Sequence, residues 1–183
     1  MNKTLALKHS LIVAALLALP LAQAASLPKA DYKAAKAHIG VDYTADKAAC
    51  ASLAANAKDI CIEQAKGKEK VARAELEYSY TGKAKDRTKV QVAKAESAYA
   101  VAKEKCDDKA GNDKDVCVKQ AKAVEVGALA DARMGKQISE AKTDAAQDKR
   151  KADYDVAAEK CDAMAGDAKT ACITAAKASF GKS

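Results

Sequence analysis

Apolar side chains return at steps of three and four along much of the chain. Val92, Ala95, Tyr99, Ala102 and Cys106 form one such stripe, and Cys117, Ala121, Val124 and Ala128 form a second. This is the spacing of helices that each bury one face. Two stripes separated by a short polar stretch predict an antiparallel helix pair. Tyr154, Ala157, Cys161 and Met164 repeat the steps near the C-terminus. In the corresponding N-terminal stretch Asp46 and Lys68 fall on the seam, which predicts a less well packed first pair. Tyr80-Thr81-Gly82 reads as a bend, and Gly127 with Gly135 weaken the helix before the last stripe. The expected elements are six helices, near residues 28–54, 57–80, 83–110, 113–135, 138–165 and 168–180. They predict an all-α fold of three up-down hairpins, collapsed into a bundle or extended as a helical-repeat array.

The stripes belong to a threefold repeat. Residues 43–66, 99–122 and 154–177 align without a gap as Tyr-x6-Cys-x3-Ala-[Ala/Gly]-[Asn/Asp]-x-Lys-x2-Cys-[Ile/Val]-x2-Ala-Lys. Each window opens on a tyrosine (Tyr43, Tyr99, Tyr154) and holds two cysteines with ten residues between them: Cys50 and Cys61, Cys106 and Cys117, Cys161 and Cys172. On one continuous helix such a pair would lie about 16 Å apart along the axis, beyond the reach of any disulfide. Turn formers stand midway, as Ala55-Asn56, Gly111-Asn112 and Gly166-Asp167. Glycine there suits a left-handed cap ending one helix, and Asn or Asp suits the N-cap of the next. The chain then folds back on itself, the two cysteines face each other, and each window carries one local disulfide. The repeated tyrosines are expected to cover the seam with their rings and leave their hydroxyls in water.

The quoted motif resembles a group of small exported, Ala/Lys-rich proteobacterial proteins with no assigned activity, whose members are often labelled TolA-like or cell-envelope biogenesis proteins. The label reflects the Ala/Lys/Asp/Glu helical composition shared with the long middle segment of TolA. Nearly the whole chain after residue 24 is covered, with Ala55 standing where the group usually has Gly. The resemblance implies a helical fold and an envelope setting, and it transfers no active site.

Composition agrees with helix and limits the core. Alanine supplies 46 of 183 residues, and both prolines precede position 29. Lys3 and Lys8, an uncharged apolar stretch from Leu11 to Leu19, Pro20 and the small-x-small site Ala22-Gln23-Ala24 read as a secretory signal peptide over residues 1–24. Residues 25–183 then form the helical repeat domain. Its apolar stretches fall short of the roughly 20 residues a membrane span requires. Leu, Ile, Val and Phe number only 20 in that domain, so thin helices need staples. Export supplies the oxidising setting, and six cysteines pair evenly.

The chemistry available is sparse. His9 falls within the signal peptide, and His38 stands alone in an Ala/Lys helix, so no Cys-His or Ser-His nucleophile is marked out. Carboxylates alternate with lysines along solvated faces. Basic and acidic residues, 32 and 25 over the chain, are interleaved, unlike a nucleic-acid-binding tail, so no nucleic acid is expected as a partner. Zinc frameworks usually place two cysteines two to four residues apart, and a redox pair is usually Cys-x-x-Cys; neither spacing occurs.

The sequence therefore reads as a non-enzymatic protein without cofactor or metal. It would act in the periplasm, or beyond it by secretion, as a structural, protective or adaptor component meeting an unknown protein or an anionic envelope component. A thiol redox or copper- or zinc-binding factor built on the Cys-x10-Cys pairs is the alternative. Intact mass of the protein recovered from its native compartment checks the first reading. It is expected to begin at Ala25 and to gain six hydrogens on reduction, and free thiols or a metal adduct would favour the alternative.

Overall fold

A computed structural model describes residues 27–182. The signal peptide expected over residues 1–24 lies outside the described residues. Five α-helices follow in order: α1 (Lys29–Ala49), α2 (Ala55–Thr81), α3 (Ala84–Cys106), α4 (Gly111–Asp162) and α5 (Gly166–Phe180), with a single 3-10 turn at Cys50–Ser52. No strand occurs among the described residues.

The three hairpin turns are built alike. Each outgoing helix ends within one residue of its first cysteine, whose carbonyl accepts a hydrogen bond from the amide three residues on: Leu53 to Cys50 at 3.1 Å, Lys109 to Cys106 at 3.0 Å and Met164 to Cys161 at 3.0 Å. The repeated alanine, Ala54, Ala110 or Ala165, is extended, and the next residue is left-handed, with φ of 48° at Ala55, 54° at Gly111 and 57° at Gly166. The following helix starts there. Disulfides 50–61, 106–117 and 161–172 close the hairpins with Cα–Cα distances of 5.6, 5.7 and 5.7 Å, inside the range a bridge accepts.

Two details differ from the sequence expectation. The first helices stop at the cysteines, several residues early, so the glycine opens the returning helix and does not cap the outgoing one. Asn56, Asn112 and Asp167 make no side-chain cap bond to their own helices. Asn56 Nδ2 instead donates to the Glu104 carbonyl at 2.8 Å. That bond meets an end carbonyl of α3, which lacks a full helical partner, and ties the first hairpin tip to the second.

Five helices replace the expected six because α4 runs unbroken through Gly127 and Gly135. Neither glycine has a positive φ. A helical glycine costs about 1 kcal/mol relative to alanine, and the surrounding Ala, Lys, Arg, Met and Gln residues offset it. The bend at Gly82 does form. Its φ is 63°, and its amide donates to the Tyr78 carbonyl at 2.8 Å, ending α2.

Among the described residues each helix packs only on its sequence neighbours: α1 on α2, α2 on α3, α3 on α4, and α4 on α5. This is an extended array, the second of the two expected arrangements. The α2/α3 seam is tight at Gly67, where a Cβ would lie 2.9 Å from Ser97 Cβ. Buried apolar residues are few and small: the three first cysteines Cys50, Cys106 and Cys161, the alanines 65, 93, 95, 132 and 176, and Val90. No residue of α1 is buried, in line with the weaker first pair. Asp46 and Lys68, expected to spoil that seam, pair across it at 2.8 Å.

The seam of α4 shifts by one residue from the expected stripe. Val124 is 72% exposed and Glu125 only 7%. The contact steps run 117, 121, 125 and 128, so a step of four replaces the expected three. Glu125 enters that face because Lys122 meets its carboxylate at 2.6 Å. Met164, expected on the third seam, is exposed in the hairpin turn.

Ala55 carries a Cβ where its counterparts are glycine, and a left-handed L-residue costs roughly 1–2 kcal/mol. Replacing Ala55→Gly is expected to raise stability to urea unfolding by about 1 kcal/mol, and Gly111→Ala to lower it by a similar amount.

Candidate functional site

The seven positions identical in all three windows cluster at the hairpins. The cysteines form the staples. The central alanine holds the extended turn position. The lysine that follows it bridges the turn in two windows, Lys114 to Asp107 and Lys169 to Asp162, both at 3.0 Å. In the first window Ala51 stands where the acid would be, and Lys58 makes no such pair among the described residues. The later alanine, Ala65, Ala121 or Ala176, lies on the packed face and is buried or half-buried.

Tyr43, Tyr99 and Tyr154 are half-buried beside their seams. The Lys122 ammonium sits 4.9 Å from the Tyr99 ring centroid, joining the first and last positions of the second window. The same ammonium bonds Glu125, and that hydrogen bond is the main cause raising the Lys122 pKa. Tyr154 meets Phe180 edge-on at 6.3 Å and carries Lys182 over its ring at 4.1 Å. These contacts hold ring and ammonium against the second and third hairpins, and each cation–aromatic contact contributes about 0.5–1 kcal/mol at exposed sites.

Two further polar clusters lie outside the repeat. Tyr32 stacks on Tyr80 with centroids 4.5 Å apart, and its hydroxyl donates to Glu77 at 2.9 Å. That hydrogen bond raises the Tyr32 pKa. At the Gly82 bend, Asp86 is 2% exposed. Its Oδ2 accepts from Thr81 Oγ1 at 2.6 Å, and Lys89 Nζ lies 2.8 Å from Oδ1. Lys89 first and Thr81 second hold this carboxyl below the usual carboxylate range. Asp86 sits in the first turn of α3, where the helix dipole also favours a negative charge. Sequence reading passed over this bond, although an acid four residues after the bend glycine is a visible signal.

His38 is an exposed residue of α1 that meets Asp42 one turn on, 2.9 Å from its carboxylate. All six cysteines are paired. Among the described residues no three His, Cys, Asp or Glu side chains converge to hold a metal, and no helix is long and apolar enough to cross a membrane. Three disulfides are chemistry that persists in oxidising compartments.

The largest accessible feature is the long helix itself. At 52 residues α4 is about 78 Å long. Its first half packs on α3, and its end packs on α5. Residues 140–153 between them are exposed on every face. Cys117 and Cys161, 44 residues apart on this one helix, stand about 66 Å from each other. Lys136–Glu140 at 3.6 Å and Lys151–Asp155 at 2.8 Å brace the bare stretch, each such pair adding a few tenths of a kcal/mol.

Fold and surface define a class, an all-α array of disulfide-stapled helical hairpins whose second and third members share one long helix. No protein-family model matches the chain, and no curated protein or solved structure matches it significantly.

Asp86 gives a pH test. Its carboxyl is held below its ordinary value in the folded state, so its contribution is fully present above that value and is lost as pH falls through the lowered one. Asp86→Asn is expected to melt lower than wild type near neutrality. The two melting curves, followed by circular dichroism, should converge as the pH drops below the ordinary carboxylate range.

Proposed function

We propose that this protein is a non-catalytic, periplasmic component of the cell envelope that acts through its surface as a spacer or adaptor. The observation that carries this reading is the bare middle of α4. A helical stretch without a packing partner serves as a solvent-spanning connector between bodies, and residues 140–153, charged or polar apart from four alanines, are exposed throughout among the described residues. It holds the third hairpin at a fixed distance from the three-helix layer formed by α1, α2 and α3. The repeated residues are spent on closing hairpins, which leaves the charged outer faces as the surface a partner would meet.

The exported setting rests on the signal-peptide features of residues 1–24 and on the three disulfides. Charge supports an anionic partner. With residues 1–24 removed, 30 basic side chains face 25 acidic ones. Each lysine near an anionic surface adds about 1 kcal/mol, an attraction that salt screens.

Co-sedimentation with lipopolysaccharide and with phosphatidylglycerol vesicles tests the reading. Binding is expected at about 0.01 M ionic strength, where the Debye length is about 30 Å, and release at about 1 M, where it is about 3 Å. Absence of binding at the lower ionic strength would overturn the anionic-envelope reading.

A further inference from the structure

The face of α4 turned away from α3 and α5 is apolar for nearly its whole length. At 3.6 residues per turn, Val116, Ala123, Gly127, Ala130, Met134, Ile138, Ala141, Ala145, Ala152 and Val156 all fall within about 40° of Met134. Gln120 and Asp148 are the polar exceptions between the two valines. The buried residues of α4, Glu125, Ala132 and Cys161, lie about 160–180° away. The larger members are well exposed: Val116 by 42%, Ile138 by 49%, Met134 by 54% and Val156 by 56%. Many of the steps recur at eleven residues, as in Val116, Gly127, Ile138 and in Met134, Ala145, Val156. Eleven residues are close to three whole turns, so the stripe stays straight enough to meet a second long helix along its length.

Charges flank the stripe in blocks. One shoulder, about 60–80° from Met134, carries Asp113 and Asp131 in the first half of the helix and Lys142, Lys149 and Lys160 in the second. The other shoulder carries Lys119 in the first half and Asp144, Asp155 and Asp162 in the second. Among the described residues, Asp113, Asp131, Lys142, Lys149 and Lys160 make no ion pair within the chain. Each shoulder reverses sign near the helix centre, and at each end the two shoulders carry opposite signs. A second copy of the same helix is therefore complementary to this one. Laid antiparallel, a shoulder meets the same shoulder of the copy, and Asp131 faces Lys142. Laid parallel, a shoulder meets the opposite one, and Lys142 faces Asp144.

We propose that the occupant of this stripe is a second copy of the chain, paired α4 to α4, with Met134 and Ile138 at the centre of the contact. The pairing adds one more helix neighbour in the manner in which the array already grows, and it covers the bare stretch between the hairpins. It bears on the same bare stretch as the spacer reading, pairing two such spacers along their middles, and it is tested apart from the anionic-envelope reading, whose readout is vesicle binding.

Sedimentation equilibrium of the oxidised chain over a concentration series tests it. The expected species is a dimer. Met134→Lys combined with Ile138→Lys should weaken association at least about tenfold, a change of ~1.4 kcal/mol, with helical circular dichroism and melting temperature retained. Ala146→Lys, on the bare stretch but off the stripe, should leave it unchanged. A charge swap gives a second readout. Lys142→Asp should weaken the dimer, and either Asp131→Lys (antiparallel) or Asp144→Lys (parallel) should restore it. A monomer at every concentration, or a dimer indifferent to the Met134 and Ile138 substitutions, would overturn the proposal.

Discussion

Two alanine-lined helices that touch remove little apolar surface from water. A fully buried Leu or Val side chain is worth about 1.5–3 kcal/mol, and each side-chain carbon removed forfeits about 0.8 kcal/mol of that. In this chain the buried apolar set is nearly all alanine and cystine. The three local disulfides are therefore the constraint on which the rest depends. Each closes a loop of about a dozen residues and, on the chain-entropy account, contributes roughly 3 kcal/mol by restricting the unfolded chain. That is comparable to burying one or two large side chains, of which the buried set holds only Val90. Small residues and staples are also geometrically linked, because alanine at 65, 93 and 95 lets neighbouring helices approach closely.

A staple placed beside a turn fixes that turn and says nothing about distant contacts. This explains why the hairpins are alike while the connections between them differ. The first two are locked side by side by the long α2/α3 seam, by Gly67 against Ser97 and by the Asn56 bond to the Glu104 carbonyl. The third has none of these and is reached only through α4. Its cystine, its Tyr154–Phe180 contact and its Lys182 sit on a hairpin whose own two helices supply all its packing.

Much of this was legible in the sequence. The Cys-x10-Cys spacing with turn formers at its centre implied the hairpins and the pairing, because geometry left a folded-back chain as the way to join such cysteines locally. The Gly82 bend was legible for a similar reason, as a glycine that must take a left-handed torsion. Gly135 was misread because the same residue type is also tolerated inside a helix. The outcome depends on whether neighbours brace a bend, as the Thr81–Asp86 hydrogen bond does around Gly82, or supply only helix formers. The choice of Glu125 over Val124 was not legible either. A step of three and a step of four are equally helical, and the partner face of α3 decides between them. Asp46 and Lys68 looked like seam defects one at a time and are a pair only in three dimensions. No single position marked out the outer face of α4, where the signal is spread over forty residues and emerges once the helix is known to be continuous.

That continuity decides which surface the fold presents. A break at Gly135 would have let the third hairpin fold back against the other two, burying Met134 and Ile138 in a compact bundle. Without the break, the helix holds two stapled bodies apart and leaves an apolar stripe between charge blocks facing solvent. Hydrophobic side chains in that position, on a chain with so few to spend, are costly to leave in water. Ten alanines would have built the same rod. Val116, Met134, Ile138 and Val156 are there in place of alanine; Val156 also borders the α5 groove, but the central pair, Met134 and Ile138, is well exposed on the face opposite the buried residues of α4, a placement that points to a contact made outside the described residues.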